Sequence, residues 1–209
     1  MLDGGQKMQP SLQGSQPSNF RTFKPSNRVL KAVFLDRDGV INADRDDYVK
    51  NTDELRVYPF APAAIRRLND AGWTVFVVSN QQGVAKGIIA ESDLLAIERE
   101  IARRVEEAGG RISGFYYCRH LATNNCSCRK PEPGLILTAA REHGIDLSAS
   151  VLVGDTERDI IAGKSAGCGT VLVLTGEFDR GAAERFSCKP DFVADTLADA
   201  AALIADMHP

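Results

Sequence analysis

The sequence predicts an α/β fold, a three-layer doubly wound parallel sheet, on three observations. Short apolar, β-branched runs recur along the chain, longer stretches with helical apolar spacing separate them, and chemistry-bearing polar residues come directly after the runs. The first run is 31–35 (KAVFL), and a helix over about 60–71 carries the chain to the second, 74–78 (TVFVV). A helix over 91–108 leads to 115–117 (FYY), one over 132–143 to 150–154 (SVLVG), and one over 157–166 to 170–174 (TVLVL). A last helix is expected near 195–206. Gly72, Gly109, Gly144 and Gly167 stand where left-handed helix stops belong, and Ser92 and Asp195 are placed to cap N-termini.

Residues 1–28 are rich in Gln, Ser, Pro and Gly without a periodic apolar face, so a flexible tail is expected before one domain over 29–209. The balance of 25 Lys+Arg against 28 Asp+Glu, net −3, leaves no diffuse basic surface for nucleic acid or anionic lipid. The longest apolar run, Ala200 to Ala205, falls far short of the ~20 residues that span a bilayer, and no apolar h-region follows the N-terminus. A cytoplasmic monomer without nucleic-acid or membrane partners is expected, and any anion must be met by a local site.

Such a site is suggested by the residues just past the strands. After the first come Asp36, Arg37, Asp38 and Gly39; after the second Ser79, Asn80 and Gln81; after the third a Cys/His segment and then Arg129 and Lys130; after the fourth Asp155, with Asp159 four residues on. In an open parallel sheet ligands bind outside the carboxyl ends of the strands, so these groups should converge. Carboxylates at i and i+2 on an extended segment face the same way, so Asp36 and Asp38 should share the crevice with Asp155. Three carboxylates packed together call for a cation, and an all-oxygen set suits Mg²⁺. Ser79 and Lys130 then suit the oxygens of a phosphoryl group on that metal. One aspartate could attack phosphorus while its neighbour protonates the leaving oxygen. Each group has a bland alternative: DxD is common in loops, Ser79-Asn80 is a usual cap or turn, Lys130 a usual solvated lysine, and GDTERD an ordinary helix cap. Their conjunction after successive strands is what independent accidents would rarely give.

Cys118, His120, Cys126 and Cys128 offer three thiolates and one imidazole with no acid among them, which suits tetrahedral Zn²⁺ with its shell closed. The spacing is not that of common zinc fingers, and unmetallated or redox-active thiols remain the alternative. Cys168 and Cys188 stand apart as simple buried or surface residues.

The segments FLDRDGVIN, VVSNQQGVAKG, CSCRKPEPG and VLVGDTERDI together resemble the haloacid dehalogenase superfamily of phosphohydrolases, over about residues 30–205. Within it the chain is most similar to the heptose 1,7-bisphosphate phosphatases, with histidinol-phosphate phosphatases as relatives; QQGVAKG and RKPEPG are the features that favour the former. The resemblance implies Asp36 as nucleophile, Asp38 as general acid/base, and Mg²⁺ on Asp36, Asp155 and the Asp38 backbone carbonyl. It also implies Ser79 and Lys130 on the phosphoryl group, Arg129 on the rest of a small phosphorylated metabolite, and a structural Zn²⁺. Two departures are Arg119, where the family has proline after the first Cys, and PFAP at 59–62 in place of Pro-Gly. No insertion is long enough for a cap domain, so substrate choice falls to the zinc loop and to loops 42–58 and 80–88. Asn80 and Gln81, and Asp44, Asp47 and Tyr48 in the first loop, are candidates to meet substrate. A histidinol-phosphate or other small sugar or nucleotide phosphatase is the enzymatic alternative, and a zinc-stabilised binding module with a degenerate core the non-enzymatic one.

Overall fold

The computed structural model describes Met1, residues 30–176 and residues 180–207. The tail expected over 1–28, Met1 apart, lies outside the described residues.

The strands are β1 (Ala32–Leu35), β2 (Thr74–Asn80), β3 (Gly114–Cys118), β4 (Val151–Gly154), β5 (Gly169–Val173) and β6 (Phe192–Ala194). They form one sheet in the order β3-β2-β1-β4-β5-β6, parallel at every pairing. β6 is not expected from the sequence: three residues at an edge, with Phe192 exposed, make no apolar run. The helices are α1 (Ala61–Asp70), α2 (Glu91–Glu107), α3 (Gly134–His143), α4 (Glu157–Ala166), the four-residue α5 (Arg180–Ala183) and α6 (Leu197–Ala205).

Alternation along the strands divides the core into two faces. Val33 and Leu35 of β1, with Val75, Val77, Val151 and Val153, pack against α1, α2 and α6. Ala32 and Phe34, with Phe76, Val78 and Leu152, pack against α3 and α4. Strands apolar on both faces are what a sheet covered twice requires.

The expected glycine stops hold: φ is 82° at Gly72 and Gly109, 65° at Gly144 and 86° at Gly167. The expected caps do not. Ala90, not Ser92, precedes α2 and makes no side-chain cap; Ser92 lies within the first turn. At α6 Thr196 is the cap, its Oγ1 accepting from the N–H groups of Ala198 and Asp199, while Asp195 pairs with Arg180 at 2.9 Å. Helix α3 starts two residues late because the N–H of Glu132 donates to the Arg129 carbonyl at 2.8 Å, closing a turn ahead of it.

Strand order reverses beside β1: the chain runs outward through β2 and β3, then crosses to β4 on the other side. Such a switch point opens a crevice at the carboxyl ends of the two central strands. Immediately past β1 the Asp36 N–H donates to the Val153 carbonyl at 3.0 Å, so Asp36 and the end of β4 face the same opening. Among the described residues no helix is long and apolar enough to cross a membrane.

Candidate active site

A cavity of about 270 Å³ lies at this crevice. It gathers every candidate outside the Cys/His segment except Asp47: Asp36, Asp38, Asp44, Tyr48, Ser79, Asn80, Gln81, Arg129, Lys130 and Asp155. Asp47 instead pairs at the surface with Arg45 at 2.9 Å and Lys50 at 2.7 Å.

Asp36, Asp38 and Asp155 share the cavity as expected, and Asp159 joins them. Carboxylate oxygens of Asp36, Asp155 and Asp159 lie within 4.8 Å of one another. The Asp38 carboxylate lines the cavity outside this close group, and the chain is no longer in a strand after Leu35, so strict alternation does not hold there. Lys130, 3% exposed, reaches Asp36 at 2.8 Å, Asp159 at 2.5 Å and the Val78 carbonyl at 2.9 Å. Three carboxylates against one ammonium leave an excess of two negative charges. Burial and the neighbouring charges of Asp159 and Asp36 push Asp155 up to about 9. Burial raises Asp36 to about 6, with Lys130 pulling down and Asp159 pushing up. Burial also opposes ionisation of Asp159, but the Lys130 ammonium and the hydrogen bonds from Thr156 more than offset it, and its pKa falls below the ordinary value. An all-oxygen set with this charge excess fits a divalent cation of the Mg²⁺ type.

Asp38 is gripped by Arg37, to which the sequence assigns no role. The Arg37 side chain is 1% exposed and donates to Asp38 through Nε at 3.1 Å and Nη2 at 2.7 Å. Asn42 Nδ2 donates to the same carboxylate at 2.9 Å and Gln81 Nε2 at 2.9 Å. Burial raises Asp38, but Arg37 and these donors outweigh it, so its pKa lies below the ordinary carboxylate value. Gln81 also donates to Ser79 Oγ at 3.1 Å, linking the buried hydroxyl to Asp38.

Asn80 does something the sequence does not suggest. Its Oδ1 accepts from the Lys130 N–H and its Nδ2 donates to the Lys130 carbonyl, both at 3.0 Å. The amide thus clasps the Arg129-Lys130 segment to the end of β2. At the mouth, Asp44 accepts from the Arg45 N–H at 2.8 Å. Tyr48 takes a φ of 68°, unusual for a bulky residue. Its hydroxyl accepts from Gln82 Nε2 at 3.1 Å and Lys86 Nζ at 2.7 Å, which ties loop 42–58 to loop 80–88.

Cys118, His120, Cys126 and Cys128 come together within 4.8 Å. Cys118 and Cys126 sulfurs are 3.6 Å apart, Cys126 and Cys128 3.4 Å, and His120 Nδ1 is 3.2 Å from the Cys128 sulfur. Three sulfurs and an imidazole nitrogen at these separations fit a closed tetrahedral zinc shell. Arg119 turns outward to Glu91 at 2.9 Å. A second cavity, about 560 Å³, lies between this loop and the start of α4, and Arg129 and Arg158 line both cavities. Arg129 Nη1 is buried without a hydrogen-bond partner. Arg158, masked in sequence by its place in an acidic helix start, makes no hydrogen bond or ion pair among the described residues.

Acids, a lysine and a hydroxyl gathered at the carboxyl ends of a parallel sheet define a phosphoryl-processing hydrolase site, and residues 127–200 match the HAD-hydrolase-like family model. The chain is 43% identical over 145 residues to the D-glycero-β-D-manno-heptose-1,7-bisphosphate 7-phosphatase of Pseudomonas aeruginosa, covering 69% of this chain and 82% of the relative. It is 38% identical over 172 residues to the enzyme of the same name from Neisseria meningitidis, covering 81% and 92%. The crystal structure of D,D-heptose 1,7-bisphosphate phosphatase from B. bronchiseptica, complexed with magnesium and phosphate, matches with a TM-score of 0.78 at 37% identity, over 84% of this chain and 98% of that one. The chain belongs to the haloacid dehalogenase superfamily and is a phosphatase.

Proposed function

We propose that the protein removes the 7-phosphate of D-glycero-D-manno-heptose 1,7-bisphosphate through an aspartyl-phosphate intermediate. The observation that carries the reading is the buried Asp36, Asp155 and Asp159 cluster with Lys130 inserted, open to the cavity and short of positive charge. The names of the relatives supply the substrate.

Asp36 attacks phosphorus, and the bond to the C7 oxygen breaks as Asp38, which enters this step carrying a proton taken from solvent, passes it to that oxygen. Asp38, now a carboxylate, takes a proton from water; the water oxygen attacks phosphorus, freeing Asp36 and inorganic phosphate. Arg37, Asn42 and Gln81 keep the carboxylate form of Asp38 favourable, which suits this second half. Lys130 orients Asp36, and Ser79 meets a phosphoryl oxygen, with Gln81 positioning both Ser79 and Asp38. Asp36, Asp155 and the Asp38 backbone carbonyl would hold Mg²⁺, which would supply the positive charge that lets an anionic carboxylate approach an anionic phosphoryl group. Zn²⁺ on Cys118, His120, Cys126 and Cys128 steadies the loop that delivers Arg129 and Lys130. Arg129, with its unpartnered Nη1, and Arg158 across the seam suit the second phosphate of the substrate. Tyr48 and Asp44 stand where sugar hydroxyls would pass. The protein is read as a cytoplasmic monomer, and with a net charge of −3 it offers anions no general attraction, so this site is where they are met.

The test is phosphate release from heptose 1,7-bisphosphate, histidinol phosphate and mononucleotides, with and without Mg²⁺. Heptose bisphosphate should be preferred, with Mg²⁺ required, and Asp36→Asn should be inactive yet folded. Preference for histidinol phosphate would replace the substrate, and turnover by Asp36→Asn would remove it as nucleophile.

A further inference from the structure

The four acids at the site are not held alike. Asp36 and Asp159 are gripped by Lys130, and Asp38 by Arg37, Asn42 and Gln81. Among the described residues no hydrogen bond holds the Asp155 carboxylate, although Asp155 is 3% exposed. Two glycine backbones confine it instead. A Cβ built on Gly176 would stand 1.9 Å from Asp155 Oδ2 and 2.5 Å from its Cγ; one built on Gly39 would stand 2.2 Å and 2.5 Å from the same atoms. The two glycines come from different loops, after β5 and after β1, and the loops are fastened together. Thr175 Oγ1 donates to the Gly39 carbonyl at 2.5 Å, and Tyr58 Oη donates to the Thr175 carbonyl at 2.7 Å.

We propose that Gly176 is a positioning residue for the divalent cation: its bare backbone, with that of Gly39, forms a slot that aims the Asp155 carboxylate where donors fix the other acids. The proposal rests on the reading of Asp155 as a cation ligand. A Cβ at position 176 would stand 2.5 Å from the Asp155 Cβ as well as against its carboxylate, so turning the carboxylate is not enough and the Asp155 side chain as a whole must give way. The displacement falls on the residue that would ligate the cation. Gly39 cannot separate the two effects, because its φ of 76° would strain any substituent. Gly176 has no such φ, so Gly176→Ala isolates the contact.

The experiment is titration of the full-length protein with Mg²⁺, by calorimetry and by the Mg²⁺-induced rise in unfolding temperature, in magnesium-free buffer without chelator so that any zinc stays bound. Gly176→Ala should weaken Mg²⁺ binding by about 10–100-fold, the usual effect of disturbing a residue that orients a metal ligand. Its unfolding temperature without Mg²⁺ should stay within a few degrees of the wild type. Half-activation should need correspondingly more Mg²⁺, while turnover at saturating Mg²⁺ recovers towards wild type. Gly169→Ala is the control, since its Cβ would meet nothing closer than 3.7 Å. Wild-type protein that fails to bind Mg²⁺ would remove the ligand reading and this proposal with it. If wild type binds and Gly176→Ala binds within threefold of it, the slot is overturned while the ligand reading stands. A fall of more than about 5 °C without Mg²⁺ would make Gly176 a folding residue and overturn the proposal equally.

Discussion

Replacing Lys130 with methionine should expose how much of the site is held by one buried cation. Methionine matches the length of the stem, so the change removes charge with little cavity. Lys130 is 3% exposed, the Asp159 side chain 1% and the Asp36 side chain 13%, so two carboxylates lose their counter-charge out of reach of water. Breaking a buried ion pair from one side costs about 3–5 kcal/mol. At about 2–4 °C per kcal/mol for a chain of this size, the unfolding temperature should fall by roughly 6–20 °C near pH 8. The loss should depend on pH. In the wild type Asp159 has a depressed pKa, so it contributes stability above its unfolded value of 3.8 that is lost as pH falls through its folded one. Without Lys130 Asp159 moves above 3.8 and Asp36, already raised to about 6, rises further; the folded state then holds more protons that the unfolded state releases, and stability falls more steeply as pH rises. The gap between variant and wild type should therefore be widest above neutrality and close towards pH 5. Urea unfolding at pH 5 and pH 8 without Mg²⁺ measures it, and Trp73, the single tryptophan and 5% exposed, supplies the fluorescence signal. A loss below about 1 kcal/mol at pH 8, or a gap that widens at pH 5, would refute the idea that Lys130 balances these acids.

Arg158→Ala should lower kcat/KM for the bisphosphate by about 10–100-fold, the scale of a lost charged hydrogen bond, chiefly through KM. A sugar monophosphate should change less than about twofold, and equal losses on both would detach Arg158 from the second phosphate. Wild-type protein should carry about one zinc per chain, and Cys126→Ser should lose most of it. That variant should also lose turnover, because Arg129 and Lys130 come directly after the loop; full activity in zinc-free protein would show that the loop stands unaided.

Legibility in the sequence divides physically between local and tertiary signals. β2 and β4 are legible because a run such as TVFVV is buried on both faces and has no other use, whereas β6, three residues at an edge, carries no such mark. Asp36, Asp155 and Lys130 are legible because they come after strands whose carboxyl ends must converge. Asp159 is placed with the converging groups by its position after β4, but its local chemistry is that of a helix cap, its Oδ2 accepting from the Thr156 N–H and hydroxyl. Its second partner, Lys130, comes from a loop on the far side of α3 and leaves no trace in spacing. Arg37 is given no role by the sequence, because nothing local shows that folding will bury it and turn it onto its neighbour. Asn80 reads as a ligand contact because its clasp on Lys130 joins residues fifty positions apart. Gly176 is silent for the same reason: a missing side chain has no chemistry to recognise, and its meaning appears only when the loop after β5 is laid against the turn after β1. Sequence pattern therefore finds the groups that react, while the groups that aim them are found by asking, of each reacting atom, what keeps it in place.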